Sequence, residues 1–137
     1  MKLHFSKWLI MTFIIVTGCN TSKMDSPKTQ NPQAFKSIAA EKYGKSVDYL
    51  FNDSKTYVVC LKRIKPTPQI PQNQIRFFIY DSEADKIIFE ESSIDAEVEW
   101  QNDHQLRVKI TPGIISGDET EEDFIYTYDV ELRKKIK

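Results

Sequence analysis

From Ile94 to Ile110, apolar and charged side chains alternate so regularly that one strand pairing suits both sets. Ile94, Ala96, Val98 and Trp100 alternate with Asp95, Glu97 and Glu99; Leu106, Val108 and Ile110 alternate with Arg107 and Lys109. Successive side chains of an extended strand point to opposite faces. Pairing positions whose numbers sum to 206 sets Trp100 against Leu106, Val98 against Val108 and Ala96 against Ile110. The same register sets Glu99 against Arg107 and Glu97 against Lys109 on the other face. A slip of one residue would oppose Val98 to Arg107 and spoil both faces. The hairpin then turns through Asn102-Asp103-His104. The last of these is expected in a left-handed conformation, which Asn, Asp and His tolerate better than most residues.

The same alternation, less strict, runs through most of the chain. Ser46 to Phe51 and Thr56 to Ile64 read as strands around the turn Asn52-Asp53-Ser54-Lys55. Gln74 to Tyr80 and Lys86 to Glu91 form a further hairpin around residues 81–85. Between these pairs, Lys65 to Asn73 (KPTPQIPQN) carries three prolines and cannot lie in a central strand. Pro112 to Asp123 is a long loop, Phe124 to Asp129 a seventh strand, and Lys134 to Lys137 a short terminal one. FIYDSEADKIIFE and YTYDVELRKKIK share an order: aromatic strand, Tyr-Asp, turn, Lys-Ile. Paired hairpins of that kind occur in propeller blades and other meanders, but one and a half units cannot close a propeller. Before the strands, Ala34, Phe35, Ile38, Ala39 and Lys42 recur at helical spacing, predicting a helix from Pro32 to Tyr43 with Gly44 as its cap. The expected fold is mainly β: a single antiparallel meander sheet of seven or eight strands, flat or curled, with one short helix across a face.

The amino-terminal stretch MKLHFSKWLIMTFIIVTGC differs in character. Lys2 and Lys7 precede an apolar run from Trp8 to Val16, broken by Thr12, and no acid occurs before Asp25. A membrane-spanning helix needs roughly 20 apolar residues, and this run is about half that. A basic start, a short apolar run and a small residue before the cut are the features of a secretory signal. Val16-Thr17-Gly18-Cys19 resembles the lipobox of bacterial lipoproteins, an aliphatic residue and two small ones before a cysteine. The resemblance covers about the first 20 residues. It implies cleavage between Gly18 and Cys19, diacylglycerol on the Cys19 sulfur, and acylation of the new amino terminus. Asn20, where an Asp favours inner-membrane retention in enteric lipoproteins, implies the periplasmic face of the outer membrane. Two or three acyl chains anchor a protein stably at about 0.8 kcal/mol per buried methylene. Residues 1–18 are thus a signal peptide, 19–33 a polar flexible tether (NTSKMDSPKTQNPQ after the cysteine), and 34–137 the β domain.

Processing would leave about 119 residues with 17 basic and 20 acidic side chains, a net charge of about −3. That length makes one domain. Nucleic acid is excluded as a partner, because phosphate binding needs a basic face. Cys60 would be the only thiol besides Cys19, so no internal disulfide can form. Cys60 lies in a strand-like run and reads as a small core hydrophobe. His104 is the only histidine after Cys19, and no nucleophile motif or phosphate-cradling glycine loop accompanies it. Glu97 and Glu99 share a strand face at roughly 6–7 Å, a glycosidase-like spacing, but each has a cross-strand base. Residues 117–123 hold five carboxylates without the alternate spacing of a calcium loop. Catalytic, cofactor and metal sites are therefore not expected.

Aromatic side chains are the remaining resource. Phe77 and Phe78 point to opposite faces, as do Ile87 and Ile88, so the sheet needs apolar cover on both sides. The helix can cover one. The expected function is a non-catalytic envelope module, lipid-anchored through Cys19, that docks on another envelope protein. The alternative is a binding module holding a small apolar or glycan ligand on a curved, aromatic-rich sheet.

Overall fold

The computed structural model describes residues 33–137. The signal peptide, the lipobox and all of the tether but Gln33 lie outside the described residues. The helix α1 (Ala34–Tyr43) ends at Gly44, whose φ is 71° and whose N–H donates to the Ala40 carbonyl. Glycine takes this left-handed backbone without a Cβ penalty.

Eight strands follow: β1 (Asp48–Phe51), β2 (Tyr57–Ile64), β3 (Gln74–Asp81), β4 (Lys86–Ile94), β5 (Ala96–Trp100), β6 (Gln105–Ile110), β7 (Ile125–Asp129) and β8 (Lys134–Ile136). They form two antiparallel sheets of four, β1-β2-β3-β4 and β5-β6-β7-β8. The expected single sheet is therefore corrected to two. The chain passes between them at Asp95, where φ is 42°. The Asp95 N–H donates to the Asn73 carbonyl beside the first sheet, while its carbonyl accepts from Thr111 beside the second. Ile94 consequently ends β4 and stands 45% exposed, instead of sharing a face with Ala96.

The β5–β6 register is the expected one, from Ala96 opposite Ile110 to Trp100 opposite Leu106. The left-handed residue expected at His104 is absent: the positive-φ positions among the described residues lie elsewhere. Instead the His104 N–H donates to Asn102 Oδ1 at 2.9 Å, a side-chain turn that makes a left-handed residue unnecessary. Phe124, expected in the seventh strand, closes a short 3-10 turn (Glu121–Phe124).

Two sheets solve the problem of a sheet apolar on both faces. Val59, Leu61, Ile75, Phe77 and Ile79 of the first sheet close on Ala96, Val98, Leu106, Val108 and Tyr128 of the second. On the opposite face, Val58, Cys60, Phe78 and Tyr80 are covered by Phe35 and Ala39 of α1. The order of layers is helix, sheet, sheet. The outer face of the second sheet is solvated and carries Glu97, Glu99, Arg107 and Lys109.

The seams between the sheets are closed by aromatic residues whose polar atoms take strand carbonyls. Trp100 packs 6.3 Å from Tyr57, and its Nε1–H donates to the Leu50 carbonyl at 3.0 Å. Phe89 stacks on Tyr128 at 4.0 Å. The β3–β4 register shifts between Ile79–Phe89 and Tyr80–Ile87, which leaves Ile88 as the extra residue of a bulge. Ile88 and Phe89 therefore both pack into the inter-sheet core, while Ile87 faces the helix. The Tyr128 hydroxyl donates to the Ile88 carbonyl at 3.3 Å.

The likeness between the two Tyr-Asp segments is structural. Asp81 Oδ1 accepts the N–H groups of Glu83 and Ala84 at 3.0 and 2.8 Å, and Asp129 Oδ1 accepts those of Glu131 and Leu132 at the same two distances. Asp85 and Arg133 both take positive φ, 53° and 51°. The Ser82 N–H donates to the Thr56 carbonyl and the Val130 N–H to the His104 carbonyl. Each hairpin thus sits at the same place in its own four-stranded meander, so the chain holds two full units.

Burial pushes the Tyr80 hydroxyl up to about 12, helped by its bond to Asp85, and burial beside Glu90 pushes Tyr43 up to about 12. An unfolded tyrosine releases its proton near 10, whereas these retain theirs to higher pH. Their contribution to stability is complete below pH 10 and is lost as the pH rises through 12. The urea midpoint is therefore expected to fall between pH 10 and 12; a flat midpoint over that window would contradict the packing of both rings.

Candidate functional site

A recess opens where the chain changes sheets. β1 accompanies β2 only as far as Asp48 opposite Leu61, because the chain enters β1 through Ser46, at φ 64°. The last residues of β2 therefore have no strand on their outer side. The proline-rich segment after β2 leads away, and Asp95 bends the chain below. A cavity of about 510 Å³ results, within the roughly 300–1,000 Å³ range of ligand sites.

Its apolar lining is Ile64, Ile75 and Ala96. Arg63 and Lys65 come from the end of β2, Asn73 and Gln74 from the approach to β3, Asp95 and Glu97 from the corner and β5, and Thr111 from the end of β6. Arg63 Nε is held 3.4 Å from Asp48 Oδ2. By contrast, the side chains of Lys65, Asn73, Gln74, Asp95 and Glu97 make no hydrogen bond or ion pair among the described residues. Glu97 lies opposite Lys109 in register, but Lys109 Nζ turns to Glu121 at 3.9 Å. Its expected cross-strand pair is absent, and Glu97 borders both the cleft and the outer face of the second sheet. Glu99 keeps its expected base: Arg107 Nη1 lies 3.4 Å away.

The other sequence candidates are dispersed. Gly18 and Cys19 fall outside the described residues. Cys60 is fully buried between α1 and the first sheet, and burial pushes its thiol up to about 12. Because the thiolate is the reactive form, native protein at pH 8 is expected to take up no iodoacetamide at Cys60 until denaturant is added; rapid alkylation of the folded chain would contradict this burial. His104 Nδ1 lies 3.3 Å from Glu131 Oε1, at the tip of the hairpin.

The acidic loop folds back on the chain's own lysines. Glu121 approaches Lys109, and Asp123 lies 3.5 Å from Lys137. The Thr120 N–H and hydroxyl also donate to Asp123 Oδ2, at 3.0 and 3.1 Å, and these bonds lower the Asp123 pKa. No group of three or more His, Cys, Asp or Glu side chains is arranged to hold a metal ion among the described residues. Nor is any described helix long and apolar enough to cross a membrane.

The aromatic residues do not gather at a surface. Phe77, Phe89, Trp100, Tyr126 and Tyr128 pack between the sheets, and Phe78 and Tyr80 under the helix. The feature that pointed to a docking face is thus used up by the fold. The cleft was invisible in the sequence because its groups come from four separated segments. The one local signal was the proline-rich run, which forbids a strand at that end of β2. Compared with known protein families, with curated proteins and with solved structures, the chain matches none.

Proposed function

We propose that this chain is a lipid-anchored envelope lipoprotein whose β domain is a non-catalytic binding module, with the corner cleft as its recognition surface. The lipobox residues Val16 to Cys19 support the anchor, and the cleft supports the binding role. The carrying observation is chemical. The cleft gathers cationic, anionic and carboxamide groups around an apolar floor, and the side chains of Lys65, Asn73, Gln74, Asp95 and Glu97 make no hydrogen bond or ion pair among the described residues. Such a set suits a ligand that arrives from solution or projects from another envelope protein. An aromatic-rich sheet binding apolar or glycan ligands is disfavoured, because no aromatic ring lines the cavity.

Full-length chain expressed in a bacterium is expected to partition into detergent. Its mature mass should start at Cys19 and include the acyl chains. Cys19→Ser should leave the protein unacylated and move it wholly to the aqueous phase, a near-complete loss of membrane association. A wild-type chain that keeps residues 1–18, or is released without lipid, would overturn the anchor.

A further inference from the structure

We propose that the corner cleft takes a short zwitterionic peptide, its carboxylate toward Arg63 and Lys65 and its ammonium toward Asp95 and Glu97. This rests on the reading of the cleft as the recognition surface and names its ligand class. The two signs of charge lie on different segments of the lining: the cations at the end of β2 and just beyond it, with Arg63 also paired to Asp48 of β1, and the anions on the corner and β5. Asn73 and Gln74, between them in the lining, offer carboxamides that can donate to and accept from a peptide bond. Ile64, partly exposed, with the buried Ile75 and Ala96, gives an apolar floor for one side chain.

Other ligand classes fit less well. A polyanion such as a phosphate ester would meet Asp95 and Glu97, and a polyamine would meet Arg63 and Lys65. Sugars and bases gain from an aromatic platform, which the cleft lacks. An acyl chain needs a longer apolar wall than Ile64, Ile75 and Ala96 provide. A molecule with one positive end, one negative end and a peptide bond between meets both signs of charge and the two carboxamides.

The test uses detergent-solubilised full-length protein titrated with the dipeptide Ala-Leu, followed by amide chemical shifts. Ala-Leu is expected to perturb, saturably, the amides of residues 63–65, 73–75 and 95–97. N-acetyl-Ala-Leu and Ala-Leu-amide should each bind at least about tenfold more weakly. Asp95→Asn combined with Glu97→Gln should erase the difference between free and acetylated peptide, and Lys65→Met should narrow that between acid and amide. Asn suits the positive φ at position 95, so the double variant keeps its fold. Equal binding of free and capped peptides at the cleft would overturn the zwitterion and leave the cleft as the recognition surface. If neither the peptides nor a panel of uncharged fragments perturbed these residues, the recognition surface itself would be refuted.

Discussion

Replacing Asn52 by aspartate is expected to cost about 3 kcal/mol or more at pH 7, with part of the loss recovered on acidification. Asn52 is 2% exposed and lies in the turn between β1 and β2. Its Nδ2 shares its two hydrogens among Ser54 Oγ and Thr56 Oγ1, both at 3.1 Å, and the Asp103 carbonyl at 3.0 Å. Its Oδ1 accepts the Tyr57 N–H at 2.9 Å. The Ser54 N–H also donates to Asp103 Oδ1 at 2.7 Å, so this one amide helps to tie the first hairpin of one sheet to the first hairpin of the other.

An aspartate there keeps the acceptor for Tyr57 but sets a second carboxylate oxygen against the Asp103 carbonyl, with no proton between them. A buried polar group left without its partner costs about 1–3 kcal/mol, and more when charged. Burial and the facing carbonyl would raise the variant carboxyl above its unfolded value of about 3.9. Stability is then greatest below that unfolded value, where the protonated acid can again donate to Asp103, and falls as pH rises through the raised folded one. Asn52→Ala should instead show a loss that does not change over the same range. Urea midpoints at pH 4 and pH 7 separate the two variants. Equal losses for both at both pH values would mean that the amide does not bridge the hairpins.

Phe77→Ala is expected to cost about 3–5 kcal/mol, the usual range for emptying a buried phenylalanine site. Phe77 is fully buried at the centre of the inter-sheet core, its ring 6.0 Å from Phe89. A domain of this size has about 5–15 kcal/mol of stability in total, so the variant would lose a large share of it. The cavity cannot collapse easily, because bonds such as Trp100 to Leu50 and Tyr128 to Ile88 hold the sheets apart at the seams. The denaturation midpoint should drop with little change in slope. A loss under about 1 kcal/mol would show that the sheets do not close on this ring.

Much of this architecture was legible before any coordinates. The β5–β6 register followed from two alternations that a one-residue slip would destroy together. The helix followed from Phe35, Ile38 and Ala39 at helical spacing and from Gly44 at its end. The paired Asp81 and Asp129 turns followed from the repeated Tyr-Asp segments. In each case the deciding contacts lie close together in the chain.

The corner at Asp95 was not legible. An Asp on the solvent face of a continuing strand and an Asp at a left-handed bend stand in the same local pattern. Only the ladder bonds to Asn73 on one side and Thr111 on the other distinguish them. Everything that depends on the corner was hidden with it: the second sheet, the exposure of Ile94, the internal cover over Phe77, and the cleft. The sequence by itself determined which residues face together within each hairpin, since period and turn chemistry are local properties. The tertiary structure alone decided that two meanders stack, because that choice rests on burying apolar faces of segments far apart in the chain. It also left Lys65, Asp95 and Glu97 around one recess, since side chains from separate strand ends meet only once the sheets are packed.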